Sequence, residues 1–132
     1  MTRFRDGRLS SGMQDFRKLL VWQRAHALGL QVDGVIARFP RRGHASRKAQ
    51  LSDASDSIAT NIVEGCGAAT QKEFARFLDM SIKSTSETEY HLLGARDRGL
   101  VRDAIYTKLT SEVVEIRRML YGLRKKVLGH PD

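Results

Sequence analysis

Apolar positions recur every three or four residues along most of the chain, the spacing that lines one face of an α-helix. In a first segment Val21, Ala25, Leu28, Val32, Val35 and Phe39 alternate steps of four and three, which is a heptad seam. Asp15 reads as its N-cap and Pro40 as its stop. A second stripe, Leu51, Ser55, Ile58 and Ile62, follows a cap expected at Ser46. It ends at Gly65-Cys66-Gly67, where a glycine in the left-handed conformation is expected to close the helix. Thr70-Gln71-Lys72-Glu73 has the spacing of a capping box. The helix it starts runs to about Arg98, with Phe74, Phe77, Leu78, Ile82, Thr85, Leu92 and Ala95 inward, and Gly99 ends it. Asp103 is expected to cap a fourth helix striped by Ile105, Leu109, Val113, Ile116, Leu120, Leu123 and Val127.

The connections are short, so successive helices should be antiparallel neighbours. The predicted fold class is all-α, an antiparallel up-down-up-down four-helix bundle over residues 15–128. Residues 1–14, "MTRFRDGRLSSGMQ", read as a basic, disordered N-terminal tail, with Met13 an alternative start, and 129–132 as a short C-terminal tail. The inner stripes are unequal. Helices 1 and 4 carry bulky residues, whereas helices 2 and 3 bring Ala54, Ser55, Ala59, Thr60, Gly65, Ser81, Ser84, Thr85 and Ser86. Small residues let backbones approach closely but bury little apolar area. Leu19, Leu20, Trp22 and Leu30 lie partly off the first seam. A thin core with apolar surface left over predicts self-association; ordinary scattered surface leucines are the plainer reading.

Composition narrows the class further. A chain of 132 residues and 14.9 kDa, 41% hydrophobic and 29% charged, suits one globular domain. No apolar run approaches the length of a membrane span, and the N-terminus lacks the apolar core of a secretory signal. Cys66 is the only cysteine, which excludes an internal disulfide and a cysteine metal cluster, and a cytoplasmic location is expected.

Candidate chemistry is sparse. Di-iron bundles need inward glutamates and a Glu-x-x-His spacing, and none occurs. Glu87 and His91 are four apart and share a face, which is more simply a surface contact than a metal site. His26, His44, His91 and His130 are scattered, and no Ser-His-Asp or Cys-His set is apparent. Gly65-x-Gly67 before a helix imitates part of a dinucleotide loop, but no strand precedes it. The N-terminus of the third helix could bind an anion, although Thr70 is the simpler cap. No cofactor, metal or catalytic residue is predicted, and the protein is expected not to be an enzyme. Asn61 and Glu64, beside the second seam, read as a structural polar latch between helices or subunits. Arg24, Lys72, Arg76 and the Trp22 indole lie at the right level to partner Glu64. A catalytic role for Glu64 or Glu87 is the weakest of the alternatives.

The stretches "DFRKLLVWQRAHALGLQV", "RFP", "QLSDASDSIATNIVEGCG", "EFARFLDMSIKSTSETEYHL" and "MLYGL" occur in an order that resembles a known family. It is the four-helix-bundle family of proteins encoded in intervening sequences of bacterial 23S ribosomal RNA genes. The accessory variability protein of diversity-generating retroelements is similar. The resemblance covers about residues 15–128 and rests most on "SI-x-x-NI-x-EG" followed by "EF-x-x-FL". It implies an antiparallel bundle and a homopentamer. The retroelement relative binds a reverse transcriptase and nucleic acid, so RNA or DNA, or a nucleic-acid-processing protein, are the partners it implies. Members often carry a basic pair after "QL"; here Ser52-Asp53 follows Leu51, and basic charge sits in the preceding "RRGHASRK".

The formal net charge is +8, a balance that favours an anionic partner. In an up-down-up-down bundle two turns share one end. They bring together Arg38, Arg41, Arg42, Arg47, Lys48, Arg96, Arg98 and Arg102, offset by Asp97 and Asp103. A secondary patch on helix 4 comprises Arg117, Arg118, Arg124, Lys125 and Lys126. Clustered charge with few outward aromatics predicts phosphate-backbone binding rather than base stacking or sequence readout. The reading is a non-enzymatic, oligomeric nucleic-acid-binding accessory protein, with RNA the expected ligand and no membrane partner. The alternative is a protein–protein interaction scaffold that binds no nucleic acid.

Overall fold

The computed structural model describes residues 15–129. The expected tail 1–14, the alternative start at Met13 and residues 130–132 lie outside the described residues. A single 3₁₀ turn, Phe16–Lys18, precedes four helices: α1 (Leu20–Ala37), α2 (Ala45–Cys66), α3 (Gln71–Asp97) and α4 (Asp103–Val127). No strand occurs among the described residues.

Cross-helix contacts fix the register. The Ser81 hydroxyl of α3 donates to the Ile58 carbonyl of α2 (2.7 Å), and Gly65 of α2 lies against Phe74 of α3. Arg117 and Arg124 of α4 reach Thr85 and Asp79 of α3. Arg24 of α1 reaches Glu112 of α4. In α2–α3 and α3–α4 rising numbers on one side meet falling numbers on the other, and in α1–α4 Arg24 lies level with Glu112 and Arg38 level with Arg102, so the bundle is antiparallel up-down-up-down as predicted. Helices α2 and α3 pack most extensively, and α1 and α4 least.

The predicted seams form the core, with Val35, Phe77, Ile105 and Leu123 only half-buried at its margin. Val21, Ala25, Leu28, Val32, Phe39, Leu51, Ser55, Ile58, Ile62, Phe74, Leu78, Ile82, Thr85, Leu92, Ala95, Leu109, Val113, Ile116, Leu120 and Val127 are all buried. The hydroxyls of the fully buried residues are satisfied: Ser84, Thr85 and Thr88 donate to carbonyls one turn back, and Ser55 to Ser52, whereas Oγ1 of half-buried Thr110 has no partner among the described residues. Buried polar groups need such partners, or they cost the desolvation of the group.

Helix ends differ from the sequence expectations in four places. Asp15 caps the 3₁₀ turn through the Arg17 amide (3.1 Å), and α1 begins only after the extended residue Leu19. Helix α2 starts at Ala45 rather than from a Ser46 cap. His44, at φ 61°, is its N-cap residue and makes no side-chain cap bond, because Gly43 and His44 together turn the chain through the left-handed region. Gly65 and Gly67 do not adopt that conformation. The helix ends instead by amide bonds from Gly67 to Val63 and Glu64, and from Ala68 to Gly65. Asp103 is the first residue of α4, where its charge complements the helix dipole, and Arg102 holds the cap position. Thr70 and Gly99 behave as expected: the Thr70 hydroxyl accepts from the Glu73 amide (3.0 Å), and Gly99 takes φ 73°.

Candidate nucleic-acid interface

The structure gathers the turn-end cations into three groups. Arg38, at the C-terminal cap of α1, and Arg102, at the N-terminal cap of α4, line one groove between those helices. That groove holds about 480 Å³; its walls include Val35, Leu100, Ile105 and Leu109, and Lys108 joins the cations on its rim. Arg41 and Lys48 line a second groove of about 560 Å³ beside the α1–α2 turn. Arg47, from the first turn of α2, and Arg98, from the end of α3, both lie over Gly94. Arg42 is exposed in the α1–α2 turn.

Arg96 stands apart. It pairs with Asp97 (3.1 Å) and lies over the Tyr106 ring at 4.5 Å, a cation–π contact that joins α3 to α4. Among the described residues the other seven cations of this end make no ion pair with a carboxylate. Several also sit where helix dipoles oppose them. Arg47 and Lys48 occupy the first turn of α2, which has no acidic residue and no side-chain cap, and Arg102 caps α4. The N-terminus of a helix carries partial positive charge and favours anions. At α2 the sequence leaves the cations without a counter-charge in the first turn, whereas Asp103 offsets Arg102 at α4.

The secondary patch is built differently. Arg117 donates to Thr85 (2.9 Å) and pairs with Glu89, while Arg124 pairs with Asp79 (2.6 Å). Both side chains stitch α4 to α3. Arg118 pairs with Glu115 three residues earlier, which holds the Glu115 carboxyl below its usual range. Lys125 and Lys126 are exposed in the last turn of α4, where they complement its dipole.

The polar latch does not form within one bundle. The Asn61 amide donates to the Ser57 carbonyl of its own helix (2.9 Å), and Glu64 is exposed with no side-chain partner among the described residues. Three of its four expected partners are engaged elsewhere, and the fourth, Lys72, is exposed and makes no ion pair among the described residues. Arg24 grips Glu112 through two bonds of 2.9 and 2.7 Å, Arg76 pairs with Glu73, and the Trp22 ring stacks on His26 at 5.0 Å. The glycine after Glu64 explains that part of the motif better. A Cβ on Gly65 would lie 2.7 Å from Phe74 Cδ1, so the close approach of α2 and α3 requires glycine.

No group of three potential metal ligands occurs among the described residues. His91 is half-buried with Nδ1 unpartnered, and Glu87 is exposed. Burial pushes the Cys66 thiol up to about 12, which keeps it protonated and unreactive. No described helix is long and apolar enough to cross a membrane. Two residues of the basic end went unnoticed in the sequence. Lys108 shares a helical face with Ile105 and Leu109, a spacing that could have flagged it. Gly94 offered only a helix-weakening glycine deep in α3 as a signal.

The model of the 23S rRNA-intervening sequence protein family matches residues 17–122. No curated protein matches the chain. A crystal structure of a protein with unknown function from the S23 ribosomal protein family of Bacteroides thetaiotaomicron is similar in fold. Its TM-score is 0.75 at 19% sequence identity, over 80% of this chain and 99% of that one.

Proposed function

Starting from a chain that belongs to the 23S rRNA-intervening sequence protein family, we propose a non-enzymatic, oligomeric accessory protein that binds nucleic acid through the turn end of its bundle. The observation that supports this reading most is the set of seven cations there that lack carboxylate partners among the described residues. Uncompensated cations from two separate turns suit a continuous phosphate backbone, whose binding releases counterions. Of the exposed tyrosines, Tyr121 lies toward the other end and Tyr90 alone, one helical turn before Gly94, lies toward this one, so base stacking contributes little and the preferred ligand is structured RNA. In a filter-binding titration with an RNA hairpin, affinity should fall steeply as salt rises from about 50 to 200 mM. No binding at the lowest salt would remove the proposal.

The subunits form a homo-oligomer in this reading, with a pentamer the preferred state. Leu20 and Leu30 are 58% and 59% exposed, and five small hydroxyl residues occupy core positions. Light scattering should return about five times 14.9 kDa; a monodisperse monomer would refute it. Within such an assembly Asn61 and Glu64 remain available as a latch between subunits. The apolar walls of the α1–α4 groove favour a second reading, a protein-interaction scaffold, and the same titration separates the two.

A further inference from the structure

A glycine deep in α3 weakens the helix, because glycine loses more conformational freedom than alanine when it is held. Gly94 is buried, and no packed aromatic ring closes on it as the Phe74 ring closes on Gly65. What covers it is charge. A Cβ built there would lie 2.8 Å from Arg47 Nη1 and 3.4 Å from Arg98 Nη1. Two guanidinium groups, from α2 and from the end of α3, thus converge on one point of the surface.

Their own bonding leaves them largely open. Arg98 Nη1 donates to the Gly94 carbonyl at 2.9 Å, and Arg47 makes no hydrogen bond or ion pair among the described residues. Each guanidinium carries five N–H donors, so most remain unused. Two like charges held this close repel, and Arg47 also sits at the positive end of α2. An anion that bridges the pair relieves both effects. Guanidinium forks match the oxygens of a phosphate in geometry as well as charge.

We propose that Arg47 and Arg98 form a phosphate-holding fork over Gly94, and that Gly94 is glycine so that the Arg47 guanidinium can lie flat on α3. This rests on the nucleic-acid reading and deepens it by naming where one backbone phosphate is held. The atom that would meet a new Cβ is the far end of a flexible side chain. Gly94→Ala therefore moves Arg47 aside without disturbing the core, and it also favours the helix. A purely structural glycine would respond in the opposite way.

The test uses the full chain, with Gly94→Ala and Arg47→Lys as variants. Each is titrated with a labelled RNA hairpin across salt concentrations, and each is melted in inorganic phosphate and in chloride at matched ionic strength. Gly94→Ala should melt at or above the wild-type temperature. It should bind the hairpin about 3- to 10-fold more weakly, with a salt slope smaller by about one. Arg47→Lys, which keeps the charge and loses the fork, should weaken binding similarly. Phosphate should raise the melting temperature of the wild type more than that of either variant. Wild-type protein that binds no RNA but is stabilised by phosphate, with the gain lost in Gly94→Ala, would end the nucleic-acid reading and keep the fork for free phosphate. Unchanged RNA binding and unchanged phosphate stabilisation in Gly94→Ala would overturn the fork.

Discussion

The two ends of the bundle carry similar numbers of cations and treat their arginines in opposite ways, the unpaired cations of the far end being, among the described residues, the lysines Lys18, Lys72, Lys125 and Lys126. At the end shared by the α1–α2 and α3–α4 turns, Arg38, Arg41, Arg42, Arg47, Lys48, Arg98 and Arg102 have no carboxylate partner among the described residues. Toward the other end, Arg117 and Arg124 tie α4 to α3, and Arg76 and Arg118 pair within their own helices. Cationic count alone therefore misjudges a surface. What distinguishes a binding face from a structural one is whether the protein has already supplied the counter-charge. The lesson extends to the glycines, since Gly65 lies under an aromatic ring and Gly94 under two guanidinium groups.

The largest expected effect comes from removing the free charge. Replacing Arg41, Arg42, Arg47 and Lys48 with Ser should weaken hairpin-RNA binding on the order of 100-fold near 100 mM salt, because each lost phosphate contact forfeits released counterions. Replacing Lys125 and Lys126 with Ser should change it less than about 3-fold. Equal losses would erase the distinction between the ends. Next, Gly65→Ala should lower stability by about 1–3 kcal/mol in a denaturant melt, since the new Cβ meets a packed phenyl ring. A neutral result there would show that α2 and α3 can separate cheaply.

Smaller effects sharpen the structural half of the comparison. Arg117→Ala should cost about 1 kcal/mol of stability, because it strips partners from Glu89 and Thr85, and it should leave RNA affinity nearly unchanged. The smallest concerns Arg118, whose side chain is 79% exposed. Arg118 holds the Glu115 carboxyl below its usual range, so that pair contributes above the ordinary carboxylate pKa and loses its contribution as pH falls through the lowered one. In Arg118→Ala the Glu115 titration, followed by NMR, should move up toward its ordinary value with no measurable change in melting temperature.

The fold was legible because it depends on period. Leu51, Ser55, Ile58 and Ile62 announce a buried stripe even with a serine in it, and the seams of α1, α3 and α4 repeat the same spacing. Helix ends were less legible, since they depend on dihedral choices that several sequences permit. Gly43-His44 takes the left-handed turn, while Gly65 and Gly67 do not. Topology alone sufficed to place the eight turn-end cations at one end. Pairing was beyond the sequence. That Arg96 turns to Asp97 and Tyr106, that Glu64 finds no partner in its own chain, and that Arg47 crosses to Gly94 all depend on side-chain reach across the register.

Arginine footprinting tests the central claim most directly. Phenylglyoxal modifies accessible guanidinium groups, and mass spectrometry locates the products with and without a bound RNA hairpin. The free protein should be modified readily at Arg38, Arg41, Arg42, Arg98 and Arg102 and slowly at Arg117 and Arg124. Bound RNA should protect the first group, together with Arg47, and leave Arg118 reactive. Protection confined to Arg118 and the end of α4, or no protection at any arginine, would contradict the account.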